Sequence, residues 1–283
     1  MTLNGYELLA SGEAQRLERW GGRVVRRPET AAAWPWPPGK TLPGWDGLYH
    51  GTTASGGRWE WANPLPDPCV VRHGNLSFLV KPTASKHLGL FPEQSANWEW
   101  ITTTLASPPR AQIPPRILNL FGYTGGATLA AASAGASLTH VDSSKAMVSW
   151  CSENARISGL GNAPIRYIVE DAMTFLQREI RRGNRYDAII MDPPSYGRGK
   201  GGELWKLTEH LPSLLEAALS TLSETPLFLL LNTYSEALDE ESGTLLRTMT
   251  IGLRGSVESS PLGLTGSLDG QFLPLGRAHR WSP

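Results

Sequence analysis

The sequence predicts an α/β domain with a mostly parallel sheet at residues 91–283, preceded by a small β-rich domain at residues 1–90. Three observations predict it. The first stretch is rich in Trp, Pro and Gly, as in "WPWPPGKTLPGWDG" and "GGRWEWANPLPDP", and such segments break helices and mark turns. From about residue 94, apolar strand-like runs alternate with helical segments, the order that builds a parallel sheet with helices on both faces. Several of those runs end on glycine or an acid, at the strand end where ligands of such sheets bind.

In the first domain, "RLERWGGRVVRRP" reads as a hairpin around Gly21 and Gly22, and "CVVRHG" with "LSFLVKP" as a second. The interleaved aromatics are read as a compact core. "EQSANWEWITTTLAS" is a helix with Ser95 near its start, and "PPRAQIPPR" is a proline linker. Then follow strand "RILNLF", helix "GGATLAAASAGA", strand "SLTHVD", helix "SKAMVSWCSENARISGL" and strand "IRYIVED". Helix "AMTFLQREIRRG", strand "YDAIIMD", the long helix "ELWKLTEHLPSLLEAALSTL" and strand "TPLFLLLN" come next. The final segment offers two more strands, an antiparallel edge to the sheet, in which Arg277, His279, Arg280 and Trp281 read as a satisfied terminal strand.

Composition narrows the function. Lys plus Arg equals Asp plus Glu at 26 each, which excludes a strongly cationic nucleic-acid binder but leaves room for a local basic patch. The two cysteines, Cys69 and Cys151, lie far apart; they make neither a disulfide framework nor a zinc spacing, so no metal is expected. The reduced cytoplasm is the expected compartment. The N-terminus lacks the apolar core of a signal peptide and no apolar run reaches membrane-spanning length, so no membrane partner is expected. A monomer or homodimer is expected.

The strand ends carry the chemistry. The first runs "NLFGYTGGATLA", with Gly122, Gly125 and Gly126 around a turn into a helix. Glycine admits positive φ and close approach of a ligand, and the helix start offers N–H groups. The spacing is not G-x-G-x-x-G, so the dinucleotide fingerprint fails. Asp142 ends the second strand, twenty residues after Gly122, where an acid suits a ribose diol; equally, Asp142 or Ser143 suits a helix N-cap. Asp171, followed by Ala172, suits either an adenine amino group or another N-cap. The fourth end, "DPPSY", is the most specific. Pro193 and Pro194 fix the backbone after Asp192 and present carbonyls without donors, while Tyr196 adds a stacking face. Rigid acceptors beside an aromatic ring suit a nucleobase or another planar amine.

In this order, the glycine loop, the acid after strand two, "ED-A" after strand three and "DPP-x-aromatic" after strand four resemble a class I S-adenosylmethionine-dependent methyltransferase with its Rossmann-like fold. "LNLFGYTGGATLAAASAGASLTHVDSSK", "DPPSYGRG" and "HLGLFPEQSANWEW" resemble, more closely, the family that includes the large-subunit ribosomal RNA cytosine-5 methyltransferase. The resemblance covers about residues 86–283. The family's usual N-terminal RNA-binding module is not found before it.

The resemblance implies S-adenosylmethionine as cofactor and RNA, ribosomal RNA above all, as substrate. By it, the loop of Asn119, Phe121, Gly122, Tyr123, Thr124, Gly125 and Gly126 lies along the methionine part of the cofactor. Asp142 with Ser143 holds the ribose, Asp171 and Ala172 hold the adenine, and Phe91 and Gln94 cover the cofactor from the side. Asp192, Pro193, Pro194 and Tyr196 face the methyl group and its acceptor.

The acceptor atom departs from that family. Methylating cytosine carbon 5 needs a thiolate that adds to the ring. Cys151 lies nine residues beyond Asp142 inside a helix, about 13 Å at 1.5 Å per residue, and Cys69 sits in the first domain; both read as packing residues. A ring or exocyclic nitrogen needs no thiol and suits "DPPSY" better. Arg198 and Lys200, in the glycine-rich loop after that motif, suit a phosphate contact. Arg178, Arg181, Arg182 and Arg185 precede the strand and read as a solvated helix end. The alternatives are a methyltransferase for a protein or small planar molecule, a nicotinamide oxidoreductase, and a non-catalytic RNA-binding protein of the same fold.

Overall fold

The computed structural model describes residues 3–39, 41–52, 56–106, 113–198, 204–234 and 236–283. They form two compact units, Met1–Ser95 with Gly263–Leu275 and Ala96–Leu262 with Gly276–Pro283. The division expected at residue 90 assigned the whole end of the chain to the larger domain; the tip of the last hairpin instead belongs to the smaller unit. There Ser11 N donates to Asp269 at 2.9 Å and Leu268 N to Leu9 O at 2.9 Å, pairings between distant residues that no local pattern announces.

The smaller unit holds strands β1 (Leu3–Asn4), β2 (Tyr6–Gly12), β3 (Gln15–Trp20), β4 (Arg23–Pro28), β5 (Gly47–Thr52), β6 (Gly56–Trp61), β7 (Cys69–His73) and β8 (Leu76–Val80). They make a five-stranded sheet in the order β2-β3-β4-β5-β6 and a three-stranded sheet β1-β7-β8. Both expected hairpins form. Gly21 and Gly22 take φ +54° and +85°, positive at both turn positions as the twist of a two-residue hairpin demands. β5 and β6 were hidden by their glycines. The Trp61 ring occupies the place of a Gly47 Cβ, 2.3 Å from it, and stacks on Trp59 at 5.3 Å. The interleaved Trp36, Trp59 and Trp61 are only partly buried, while Trp20 and Tyr49 are buried in the core. Beside them lies a buried ion cluster, in which Glu18 accepts from Tyr6 at 2.9 Å and Arg27 at 2.6 Å.

The larger unit begins in helix α1 (Ser95–Ala106), after a 3-10 turn at Pro92–Gln94. It continues through β9 (Arg116–Leu120), α2 (Gly126–Ser133), β10 (Ser137–Asp142), α3 (Lys145–Ile157), β11 (Ile165–Val169), α4 (Ala172–Arg181) and β12 (Ala188–Met191). Then come β13 (Tyr196–Arg198), β14 (Leu204–Lys206), α5 (Leu207–Leu219), β15 (Phe228–Thr233), α6 (Glu236–Met249), β16 (Ser256–Thr265) and β17 (Phe272–Ser282). The main sheet runs β11-β10-β9-β12-β15-β17-β16. The first five of these strands are parallel, and β17 is antiparallel to β15.

Both faces are covered, because successive strand residues point to opposite sides. Ile189 joins a core with Leu118, Phe175 and Leu214; Ile190 joins another with Ile101, Ile117 and Ala131. The last strand is satisfied only in part: His279 and Trp281 are buried and Arg280 donates to Asn97 Oδ1 at 2.7 Å, but the buried Trp281 Nε1 and Arg277 Nε make no hydrogen bond among the described residues. The long helix starts at Leu207, four residues later than expected. Leu204–Lys206 instead pairs as β14 with β13, since Leu207 N donates to Ser195 O at 3.0 Å and the Trp205 indole to Pro194 O at 2.7 Å.

Candidate active site at the switch point of the sheet

The strand order reverses between β9 and β12, so the chain leaves β9 toward one side and β12 toward the other. A crevice opens at the carboxyl ends of such a pair. The β9 loop and Asp192 flank it.

The β9 loop is strained. Phe121 and Tyr123 hold φ +56° and +50°, a left-handed conformation costing roughly 1–2 kcal/mol per non-glycine residue. Such strain persists only where the surroundings over-determine it. Here Gly122 N donates to Val141 O at 3.0 Å, Tyr123 N to Asp142 Oδ2 at 2.9 Å, and the Asn154 amide to Thr124 O at 2.9 Å. The glycines answer to the protein's own side chains. A Cβ on Gly122 would stand 2.4 Å from the His140 ring, one on Gly125 2.2 Å from Cys151 Sγ, and one on Gly126 2.6 Å from the Trp98 ring. Thr124 is buried.

Asn119 reaches beneath this loop. It is 2% exposed and its amide donates to Thr128 Oγ1 at 2.8 Å, which lies 2.9 Å from His140 Nδ1. Asn119 therefore supports the loop from below through its side chain. Burial drives the His140 imidazole down to about 4.

Cys151 corrects a distance argument. Helical rise measures length along an axis, but α3 packs back along β10, so the thiol lies against Gly125 and 3.6 Å from His140 Nδ1. It is close to the loop yet fully buried, and burial pushes its pKa far above that of an ordinary thiol. Cys69 is buried in the other unit, against Gly21. Both are packing residues.

The two acids differ. Asp142 is not a cap: Ser144 caps α3, its Oγ accepting from Met147 N at 3.4 Å, while Ser143 is exposed. The Asp142 carboxylate accepts from Tyr123 N and from Ser144 N at 2.8 Å. Burial still holds its pKa above the usual carboxylate value, against those two donors. Asp171 is the N-cap of α4, accepting from Thr174 N at 2.9 Å, and Ala172 is buried in the core behind it.

At the end of β12, Asp192 Oδ1 accepts from the Tyr234 hydroxyl at 2.5 Å. The Pro194 carbonyl, expected to face an acceptor, receives the Trp205 indole. Pro193 is buried. Tyr196 is 73% exposed and stands opposite Lys206 in the β13–β14 pair. Trp205, on the other face of that pair, lies 5.9 Å from Phe121 and stacks on His210 at 5.0 Å. Arg198 ends β13 with its side chain outside the described part of the structure, and Lys200 lies outside the described residues. Phe91 and Gln94 belong to the smaller unit, where Phe91 meets His87 edge-on at 5.1 Å and Gln94 is buried.

Tyr234 and Trp205 are the site residues that sequence reasoning missed. Tyr234 follows "LLLNT" at a fifth strand end, and the rule applied to the first four ends would have found it. Trp205 was concealed by its assignment to the helix.

Comparison with known proteins identifies the family. Residues 12–233 match the family model described as S-adenosylmethionine-dependent methyltransferase. A crystal structure of a SAM-dependent methyltransferase from Agrobacterium tumefaciens is 39% identical, with a TM-score of 0.89, covering 99% of this chain and 91% of that one. Ribosomal RNA large subunit methyltransferase K of Neisseria meningitidis serogroup B is 27% identical over 186 residues, 65% of this chain and 51% of the relative. Ribosomal RNA large subunit methyltransferase K/L of Syntrophotalea carbinolica is 34% identical over 134 residues, 47% of this chain and 17% of the relative. The chain thus spans about half the length of the first of these curated relatives and far less of the second. With the family model matched over residues 12–233, the chain belongs to the S-adenosylmethionine-dependent methyltransferase family.

Proposed function

We propose that this protein transfers the methyl group of S-adenosylmethionine to a ring or exocyclic nitrogen of a nucleobase in ribosomal RNA, acting in the cytoplasm as a monomer or homodimer. The observation that carries the reading is the Asp192–Pro193–Pro194 end of β12 beside the β9 loop, with both thiols buried. The cofactor supplies a methyl group already activated on sulfonium sulfur, so the chain's task is alignment and exclusion of water.

The residues present fit that cofactor. The Asp142 carboxylate is held above its usual pKa by burial, a desolvation that two ribose hydroxyls would offset by donating to it. The Phe121–Gly126 loop offers its strained backbone to the methionine part. Asp171 and the Ala172 N–H serve the adenine, the carboxylate doing so while capping α4. Asp192 accepts an N–H of the target nitrogen and so directs its lone pair, Tyr196 stacks on a base, and Arg198 with Lys200 meets phosphate.

The relatives' names support the RNA substrate, and the buried cysteines support nitrogen over carbon 5. Incorporation of tritiated methyl into ribosomal RNA from a strain lacking the gene, followed by nucleoside analysis, tests both. Label in a 5-methylcytosine would overturn the nitrogen assignment, and no label in any RNA would overturn the substrate.

A further inference from the structure

We infer that Tyr234 is a positioning residue for methyl transfer, orienting the Asp192 carboxylate toward the acceptor; this rests on the role of Asp192 given above. β12 and β15 run parallel, Met191 opposite Leu231, and β15 continues two residues further to Thr233, so Tyr234 follows just beyond the end of β12. There the Tyr234 hydroxyl donates to Asp192 Oδ1 at 2.5 Å, across 42 residues of sequence.

The phenol is itself held in place. A Cβ on Gly276, whose φ is +152°, would stand 3.0 Å from Tyr234 Cδ1 and 2.5 Å from the Thr233 carbonyl oxygen. Glycine in β17 is thus what admits the tyrosine ring. One residue earlier, the Thr233 hydroxyl donates to Asp239 Oδ1 at 2.7 Å and lies 3.2 Å from His279 Nε2. Asp239 faces Arg277 Nε at 4.0 Å. The end of β15 is therefore tied to both α6 and β17 before the chain reaches Tyr234.

The physical need is orientational. A carboxylate turns easily about its last torsion, which is broad and two-fold, whereas a donor meets its lone pairs near the carboxyl plane. A fixed hydroxyl on one oxygen sets that plane, and small misplacements of a reacting group cost on the order of a hundredfold in rate.

Tyr234→Phe keeps the ring over Gly276 and removes only the hydroxyl. We expect it to bind S-adenosylhomocysteine and to melt as the wild type does. Single-turnover methylation of ribosomal RNA from a strain lacking the gene should fall about ten- to a hundredfold, as for a lost hydrogen bond to a charged group. In an Asp192→Ala background, where no side-chain oxygen is left to accept from the hydroxyl, the same substitution should have little further effect. An unchanged rate, an equal loss in both backgrounds, or a loss of S-adenosylhomocysteine affinity in step with the rate would each overturn the inference. If the wild type leaves the RNA unmethylated, the substrate reading falls, and Cζ-labelled tyrosine NMR decides instead. The Tyr234 signal, identified by its loss in Tyr234→Phe, should shift in Asp192→Asn; an unmoved signal overturns the pairing.

Discussion

At the residue scale, Asp142 and Asp192 are expected to separate binding from chemistry. Asp142→Ala should weaken S-adenosylmethionine binding about ten- to a hundredfold, or roughly 1.5–3 kcal/mol for lost charge-assisted hydrogen bonds, without unfolding the chain, since Ser144 rather than Asp142 caps α3. Calorimetry beside a thermal melt checks this; unchanged affinity removes the ribose assignment. Asp192→Ala should instead lower the methylation rate by about two to four orders of magnitude, with cofactor affinity falling far less. Tyr196 is 73% exposed, so Tyr196→Ala should leave stability intact and cost about 1–3 kcal/mol of substrate binding. Tyr196→Phe should be mild, and a Phe variant as impaired as the Ala variant would assign chemistry to the hydroxyl.

At the scale of the element, the β9 loop and α3 form one packed piece. Gly125 combines φ +95° with a Cβ position 2.2 Å from Cys151 Sγ. Gly125→Ala should therefore destabilise by about 1–2 kcal/mol through the backbone, with roughly 1–3 kcal/mol more from overpacking. Denaturant titration of Gly125→Ala with and without Cys151→Ala separates the two, because trimming the thiol relieves only the contact. Complete rescue would show that the backbone strain is negligible. Cys69→Ser with Cys151→Ser should keep methyl transfer largely intact once folding is verified by circular dichroism, because both thiols are buried packing groups. A covalent RNA adduct through either would sink the nitrogen acceptor. The strands β13 and β14 teach the converse lesson about elements: "LWK" reads as the start of a helix, and antiparallel pairing of Leu204–Lys206 with Tyr196–Arg198 makes it a strand.

For the whole molecule, buried imidazoles set the acid response. Burial drives His140 and His279 each down to about 4, and His87 to about 3, against about 6.5 in an unfolded chain. Below that value the unfolded chain binds more protons than the folded one, so the stability they contribute is fully present above about pH 6.5 and is lost as pH falls toward about 4. Glu18 adds a later loss. Its folded pKa is lowered to about 2, Arg16 and Arg27 outweighing burial, so its contribution holds above the usual carboxylate value and fades as pH falls through about 2. Thermal midpoints taken from about pH 8 down to pH 4 should fall most steeply below pH 6.5, and His279→Gln should flatten the slope. A midpoint level across that range would show that these histidines are not held neutral.

The sequence by itself determined the alternation of strands and helices from β9 to β12, the parallel sheet and the residues at four strand ends, because helical and strand periodicities are local and because Gly, Asp and Pro constrain the backbone where they stand. Asp142, Asp171 and Asp192 were therefore found from single positions. The tertiary structure decided what those positions touch. That Asp171 caps a helix and Asp142 does not depends on where α3 begins. That Gly122, Gly125 and Gly126 make room for His140, Cys151 and Trp98 depends on α1, β10 and α3 packing against one loop. That Asp192 meets Tyr234 depends on β12 and β15 being neighbours although α5 separates them in sequence. Such pairings arise from sheet order and register, which long-range burial selects and no local run of residues encodes.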